Sequence, residues 1–448
     1  MSAIQTSTPS DWTKPLRNAG RLAMGRGVQA VCSLVYLAIA ARALGPRDFG
    51  ALVLIHALAL SIAQFSSFGS KEMLVRFGSL ALADANGSSR VSLLIRYGIT
   101  LDLCGTLLAW LFMGIAAPWA LKPLGLPDHL HGLTLVYWFA AVAVMNLSQT
   151  SNGVLRLLDR FRLIAYQSTV EPTLRLIAAL LVLFFHGGLY GFLLAWFGAL
   201  LAGRLSLVLV AQHALRLQKL PRAPGFTLRQ ILHPEPGIWR FVLWLQWTTT
   251  IGLADTQLPL LAIGAMTATS SAGLFKVAQQ ITAVLERANS KLIVPSLYTE
   301  LARLSATKEH AVRRHLVMKL TLWMVGVGLA VFLLLVLLGK PLLILVAGRQ
   351  YVAAYPVMLW LAGAGVIGTF SVTLEPLLMA AGRVKMIAIA GTLPLLAYIP
   401  VVFGWIGPGG LTGVGMAMVL YGVLNTAILV FAVRRSLAGD TAAGEVPG

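Results

Sequence analysis

The sequence predicts an all-α polytopic membrane protein, with about 12 transmembrane helices in two six-helix lobes that an internal parallel repeat relates. Composition is the first observation behind this class. Apolar residues make up 58% of the 448 residues and charged residues only 11%, well below the roughly 25% charge of a soluble domain. Apolar runs long enough to cross a membrane recur along the chain, and they are continuous rather than alternating, which favours helices over barrel strands.

The apolar runs divide the chain into six spans per half. We expect spans one to six at 23–44, 50–70, 92–117, 132–152, 164–186 and 188–213. We expect spans seven to twelve at 241–263, 272–293, 317–338, 353–379, 386–406 and 409–433. The polar stretch before span one lacks the short apolar core and cleavage site of a signal peptide, so span one is predicted to remain uncleaved.

An internal duplication is the second observation. GGLYG at 187–191 matches GGLTG at 409–413, close to half the chain length later. DRFRLIA at 159–165 matches GRVKMIA at 382–388 at almost the same spacing. An even number of spans per copy gives both copies one orientation, so we expect lobes related by an axis along the membrane normal.

A third match pairs Gly50 with Gly273, at the same spacing as the match between 159–165 and 382–388. We call this shared spacing the repeat offset. The copies fill the chain and set the predicted domain boundaries. These are an N-terminal six-helix lobe at 1–213, a cytoplasmic linker rich in proline at 214–240, a C-terminal six-helix lobe at 241–433 and a cytoplasmic tail at 434–448. The segment 294–316 has the pattern of an amphipathic helix on the membrane surface.

Basic residues set the predicted orientation. Most Lys and Arg residues fall on the side of the membrane that holds both termini, which the positive-inside rule makes cytoplasmic. The opposite side has only Arg42, Arg47, Lys122, Lys340 and Arg349. The net charge of +19 therefore indicates topology and contact with anionic lipids. We expect no nucleic-acid partner, because no soluble domain fits between the spans.

Several chemistries have no supporting motif. The chain contains no P-loop sequence for ATP hydrolysis. Cys32 and Cys104 lie inside spans and form no zinc pattern, and the eight His residues show no metalloprotease or triad context. We therefore expect a protein that is not an enzyme and has no metal or cofactor. Its energy would come from an H+ or Na+ gradient, a partner protein or the substrate gradient itself.

One segment carries a resemblance to a known family. In ARALGPRDFGALV the first helix ends in a turn built from Leu44, Gly45, Pro46, Phe49 and Gly50. This turn resembles the opening of bacterial polysaccharide flippases, which belong to the multidrug/oligosaccharidyl-lipid/polysaccharide exporter superfamily. The stretch AGLFKVAQQI is similar to the passage between the seventh and eighth helices of that family.

The resemblance implies a function. It implies alternating access between two six-helix lobes in the bacterial inner membrane, with both termini cytoplasmic. The substrate would be an undecaprenyl-diphosphate-linked oligosaccharide flipped to the periplasmic leaflet, and polysaccharide polymerase and chain-length proteins are candidate partners. Two alternatives stay open: a cation-coupled multidrug exporter of the same superfamily, and a membrane glycan polymerase or ligase.

Ionisable residues inside the spans are costly, so each is a candidate functional residue. The candidates for a cationic site that binds diphosphate or sugar are Arg42, Arg175, Arg204, Lys276 and Arg287. Arg would hold phosphate oxygens bidentately, while Lys acts as a point charge. For Arg42, Arg204 and Lys276 the alternative is that the side chain reaches toward lipid headgroups.

Carboxylates form the second candidate set, for coupling to an ion. They are Asp102, Glu171, Asp255, Glu286 and Glu375. Glu171 could instead pair with Arg175 four residues later, and Asp102 could be satisfied by polar neighbours. Asp255 has no basic residue one turn away. Glu375 fits a gate or a helix end as well as it fits a coupling site.

Overall fold

The computed structural model describes residues 13–84, 87–124, 126, 128–218, 235–283, 310–380 and 384–443, and these residues are helical apart from short connections. Eight helices in this part of the chain are long and apolar enough to cross a membrane. The predicted all-α polytopic class is therefore confirmed. Most of the predicted linker 214–240 and of the predicted surface helix 294–316 lie outside the described residues.

The helices follow the order of the predicted spans. Those of the first half are Thr13–Ser66, Ser70–Leu82, Gly87–Leu124, Asp128–Leu147, Gln149–Leu157, Phe161–Phe184 and Gly188–Gln218. Those described in the second half are Ile238–Thr256, Leu258–Met266, 269–283, His310–Ala347, the 3-10 helix Arg349–Ala354, Tyr355–Ala380 and Val384–Ala443. Spans one and two form one helical run that turns at Gly45, where φ is 72°.

The repeated glycine motif has a glycine with positive φ at the same position in both halves. φ is 53° at Gly188, the first residue of span six, and 53° at Gly410, the second residue of span twelve. Both values lie in the left-handed region, which glycine adopts without a steric penalty. The two residues hold the same position in GGLYG and GGLTG. The sequence match therefore extends to the φ angle of this glycine.

Within the described part of the chain, two predicted spans are interrupted and one ends early. Span two ends at a break over 67–69, before the separate helix Ser70–Leu82. Span four breaks at Ser148, and span seven breaks at Gln257. In span seven, Pro259 has no N–H with which to donate to the carbonyl of Asp255 four residues earlier. The proline therefore accounts for this break.

The described residues group into two compact units. The first unit comprises Met1–Tyr36, Ser66–Phe112 and Phe139–Gln246. Its core contains Met73, Leu74, Leu155 and Ile238, all with less than a tenth of their surface exposed. The beginning of span seven therefore packs against helices of the first half.

The second unit comprises Leu37–Phe65, Met113–Trp138 and Trp247–Gly448. Within it, Phe49 at the start of span two packs edge-on against Tyr351, with ring centroids 6.4 Å apart. The two compact units are defined by contacts between residues. The lobes 1–213 and 241–433 are defined by the sequence repeat, and this division into domains stays a prediction.

Candidate functional site

An ion pair lies inside span five. Glu171 and Arg175 are four residues apart on the helix Phe161–Phe184, and Arg175 Nη2 donates to Glu171 Oε1. Only 16% of the Arg175 side chain and 24% of the Glu171 side chain is exposed. The pairing expected from their spacing is therefore formed, and a substrate role for either residue stays a prediction.

Two aromatic rings enclose the Arg175 guanidinium. Its central carbon lies 4.8 Å from the ring centroid of Trp196 on span six and 5.8 Å from that of Tyr36 on span one. The two rings meet edge to face at 5.6 Å and are almost fully buried. Tyr36, Glu171, Arg175 and Trp196 together form what we call the Arg175 cage. Its aromatic faces attract the cation and hold it in place.

A close approach of spans five and six positions the cage. A methyl group at Gly203 would lie 2.7 Å from Glu171 Cβ, so only glycine allows this spacing. One turn away, Gln167 Nε2 donates to the Gly203 carbonyl at 2.7 Å. Pro172 cannot donate to the carbonyl of Ser168, which weakens the helix beside Glu171. The cage therefore lies next to a point where span five can bend.

One unsatisfied arginine donor lies in the cage, and a second lies next to Gly203 on span six. Within the part of the chain that the structure describes, Arg175 Nε is buried and has no hydrogen-bond acceptor, and the same holds for Arg204 Nε on span six. Arg204 directly follows Gly203, so its backbone lies at the level of Glu171. An unsatisfied buried donor is costly, more so when it is charged. Two such donors on neighbouring helices are suited to an anionic ligand.

The chemistry of the cage follows from these groups. Arginine stays protonated in any protein environment, and its planar guanidinium holds phosphate or carboxylate oxygens in pairs. Glu171 occupies one edge of that guanidinium. An incoming phosphate would compete for this edge, and the displaced carboxylate would then need a proton or a cation.

The other described basic candidates, Arg42 and Lys276, each have a hydrogen-bond partner. Arg42 is exposed and donates to the carbonyls of Leu345 and Ile344, the second at 3.4 Å. These carbonyls belong to the last turn of His310–Ala347, where a cation is favourable. Lys276 is half-buried and donates to Gln279 Oε1 at 2.9 Å. Arg287 lies outside the described residues.

The Asp102 carboxylate accepts hydrogen bonds from the first turns of two other helices. Its carboxylate accepts hydrogen bonds from Ser70 Oγ and from the backbone N–H of Thr150, the latter at 2.9 Å. These donors stand in the first turns of Ser70–Leu82 and Gln149–Leu157, where the helix dipole favours a negative charge. Only 6% of Asp102 is exposed. Its polar neighbours therefore satisfy it, and its coupling role stays a prediction.

Of the remaining carboxylate candidates, the structure describes only the side chain of Glu375. The backbone of Asp255 lies in the last turn of Ile238–Thr256, beside the break in span seven, and its side chain is outside the described part. Glu286 lies outside the described residues. Glu375 is half-buried on span ten, one turn after Ser371, which accepts a hydrogen bond from Asn425 Nδ2 at 3.2 Å.

Sequence reasoning missed the aromatic half of the cage. Tyr36 and Trp196 belong to spans one and six, far apart along the chain, and each is an ordinary apolar position within its own span. The only available signal was the i, i+4 carboxylate and guanidinium on span five. No local spacing shows which rings from other spans lie beside them.

Comparisons with known proteins agree with this architecture. Residues 16–296 match the family described as polysaccharide biosynthesis protein. The chain belongs to this family. An Escherichia coli K-12 relative, inner membrane protein YghQ, is 29% identical over 348 residues, which is 76% of this chain and 94% of YghQ.

Solved structures show the same fold. The lipid II flippase MurJ in an inward closed conformation superposes with a TM-score of 0.73 at 13% identity, covering 92% of this chain and 87% of MurJ. An inward-facing MATE-family multidrug transporter of the MOP superfamily also gives 0.73, at 14% identity, covering 92% and 95%. This family member therefore has the fold shared by flippases and multidrug transporters of that superfamily.

Proposed function

We propose that this protein flips undecaprenyl-diphosphate-linked oligosaccharide units from the cytoplasmic to the periplasmic leaflet of the inner membrane, for surface polysaccharide biosynthesis. Membership of the polysaccharide biosynthesis family supports the pathway. The inner-membrane name of the Escherichia coli relative supports the location. The basic side, with both termini, is then cytoplasmic.

The observation that carries the substrate class is the Arg175 cage. A membrane-embedded arginine with an unsatisfied Nε–H, held by two aromatic rings, is suited to a diphosphate. Arg204, with its own unsatisfied Nε–H, supplies a second cation on the next helix. An organic cation would be repelled by the same pair, which disfavours the multidrug alternative.

We propose that diphosphate and Glu171 exchange at Arg175. In the structure Glu171 neutralises the guanidinium. When the diphosphate binds, its oxygens take over the guanidinium edge, and Glu171 is left as a buried carboxylate. Taking up a proton or a sodium ion then removes the cost of that charge. Substrate binding and ion uptake are thereby linked at one residue pair, and Asp255 beside the broken span seven is a second candidate for the ion.

Reconstitution tests this function. Vesicles containing the purified protein and an undecaprenyl-diphosphate-linked oligosaccharide should translocate the lipid faster than protein-free vesicles, and an imposed proton or sodium gradient should change the rate. A fluorescent organic cation should not be transported in the same vesicles. Transport of the organic cation without translocation of the lipid would instead identify a multidrug exporter.

A further inference from the structure

Spans two and eight cross at a contact that only glycine permits. A methyl group at Gly50 would lie 2.0 Å from the carbonyl oxygen of Thr269, and one at Gly273 would lie 2.3 Å from the carbonyl oxygen of Pro46. The backbones of the two helices therefore touch directly in their first turns. We call Pro46, Gly50, Thr269 and Gly273 the glycine crossing.

The two contacts of the crossing are copies of each other. The repeat offset that relates the two halves places Gly50 on Gly273 and Pro46 on Thr269. Gly50 contacts the carbonyl of Thr269, four residues before its repeat partner Gly273. In the same way, Gly273 contacts the carbonyl of Pro46, four residues before Gly50. Reciprocal contacts of this kind are the signature of a two-fold interface. The pseudo-two-fold axis of the duplication therefore passes through the crossing, and all four residues belong to one compact unit.

Neighbouring contacts hold the same first-half turn against second-half residues. Tyr351 Oη donates to the Ala41 carbonyl at 3.2 Å, within a buried site. Arg42 donates to the carbonyl of Leu345. The side chain of Leu54, one turn beyond Gly50, leaves no room for a methyl group at Gly264. These contacts add hydrogen bonds and close side-chain packing to the same turn.

We propose that the glycine crossing is the closed gate on the predicted outer side of the transporter, and that it must separate before a substrate leaves on that side. The proposal rests on the proposed function, because a transporter needs such an opening. A backbone contact without side chains is sensitive to size: one added methyl group prevents closure without removing a hydrogen bond. By the reciprocity of the repeat, a methyl group on either glycine has the same effect.

Labelling of a buried cysteine tests the gate in the absence of substrate. Cys32 and Cys104 are first replaced by Ser, and Ala41, which is fully buried beside the crossing, becomes the reporter Ala41→Cys. An impermeant maleimide is then applied from the outer side. Gly50→Ala and Gly273→Ala should each raise the labelling rate about tenfold or more, by the usual cost of overpacking a close contact.

Gly132→Ala is the matched control. Gly132 lies in a helix of the same compact unit, with no atom within 4 Å of an added methyl group. Its labelling should equal that of the parent. Equal labelling of the parent, Gly50→Ala and Gly273→Ala, with all three monodisperse, would overturn the proposal. A rise in only one of the two glycine variants would also overturn it, because the crossing is reciprocal.

A milder variant, Tyr351→Phe, tests the proposed gate if the glycine variants do not fold. Tyr351→Phe removes one buried hydrogen bond to the Ala41 carbonyl and keeps the ring. The labelling rate should rise about threefold to tenfold, the net value of such a bond, and an unchanged rate would then refute the gate. Because labelling needs no substrate, a responsive gate in a protein that fails to move lipid-linked oligosaccharide would refute the proposed function alone.

Discussion

The span pair five and six and the span pair eleven and twelve share a scaffold but differ in chemistry. Each pair is joined by the repeated glycine motif, with φ of 53° at Gly188 and at Gly410. At the repeat offset, Glu171 corresponds to Pro394 and Arg175 to Tyr398. Both copies therefore keep the glycine with positive φ, while the residues in the helix before it differ.

The divergence separates a charged site from a neutral one. Span pair five and six carries the Glu171–Arg175 ion pair. Residues 386–433 contain no charged residue. There, Tyr398 packs against Tyr421 with ring centroids 5.3 Å apart. A charge inside a membrane is retained only where it has a partner or a role. Under the proposed function, the transport chemistry of these four spans therefore lies in the first half.

The largest expected effect comes from removing the cation of the charged pair. Arg175→Gln should lower the translocation rate of lipid-linked oligosaccharide about 100-fold, because a diphosphate loses a pair of charge-assisted hydrogen bonds. Arg162→Gln is the matched control on the same helix, since Arg162 is exposed at its start and packs over Tyr166. A rate within about twofold of wild type for Arg175→Gln would remove Arg175 from substrate binding.

Removing the competing carboxylate should give a different result. In Glu171→Gln the guanidinium keeps its position in the cage but loses its ionic partner. We expect tighter binding of the lipid diphosphate, with translocation slowed about tenfold because release is impaired. Binding isotherms and initial rates on one preparation measure both effects. Weaker binding together with slower translocation would contradict exchange at Arg175.

The aromatic wall of the cage should have an intermediate effect. Trp196→Leu removes the ring that lies 4.8 Å from the Arg175 guanidinium carbon. A loss of about 5-fold to 30-fold in translocation is expected from the value of a desolvated cation–π contact. Trp110→Leu, at a half-exposed tryptophan outside the cage, is the control. Equal losses in both variants would show that tryptophan removal acts through folding.

The smallest effect is expected at the repeat counterpart of Arg175. Tyr398→Phe deletes one hydroxyl from the neutral second-half pair and keeps the ring against Tyr421. Translocation should stay within about twofold of wild type, as for an ordinary mild substitution. If Tyr398→Phe lowered the translocation rate as much as Arg175→Gln, both halves would contribute to transport. The proposed difference between the two halves would then be wrong.

The sequence allowed the scaffold to be predicted in more detail than the site. Twelve apolar runs and the repeat spacing sufficed for the fold, because hydropathy and backbone turns are local properties. The Glu171–Arg175 pair was also predictable, since both residues lie on one helix. Tyr36 and Trp196 were not, because their contact with Arg175 depends on how three helices pack.

The same limit applied to Asp102 and to the glycine crossing. Asp102 was a candidate for ion coupling by its position in span three. Its partners Ser70 and Thr150 lie in the first turns of two helices, and hydropathy predicted neither helix as a separate element. Gly50 and Gly273 were found as a sequence match. Their direct contact could be seen only once spans two and eight were packed.

A double substitution tests the central claim most directly. Glu171→Gln with Arg175→Gln leaves two neutral amides that can still hydrogen-bond, so neither partner is left as an unpaired buried charge. If Arg175 binds the diphosphate, translocation in reconstituted vesicles should stay about 100-fold below wild type, as in Arg175→Gln alone. Recovery of the wild-type rate in the double variant would show that the pair serves only to neutralise itself, and would contradict the account.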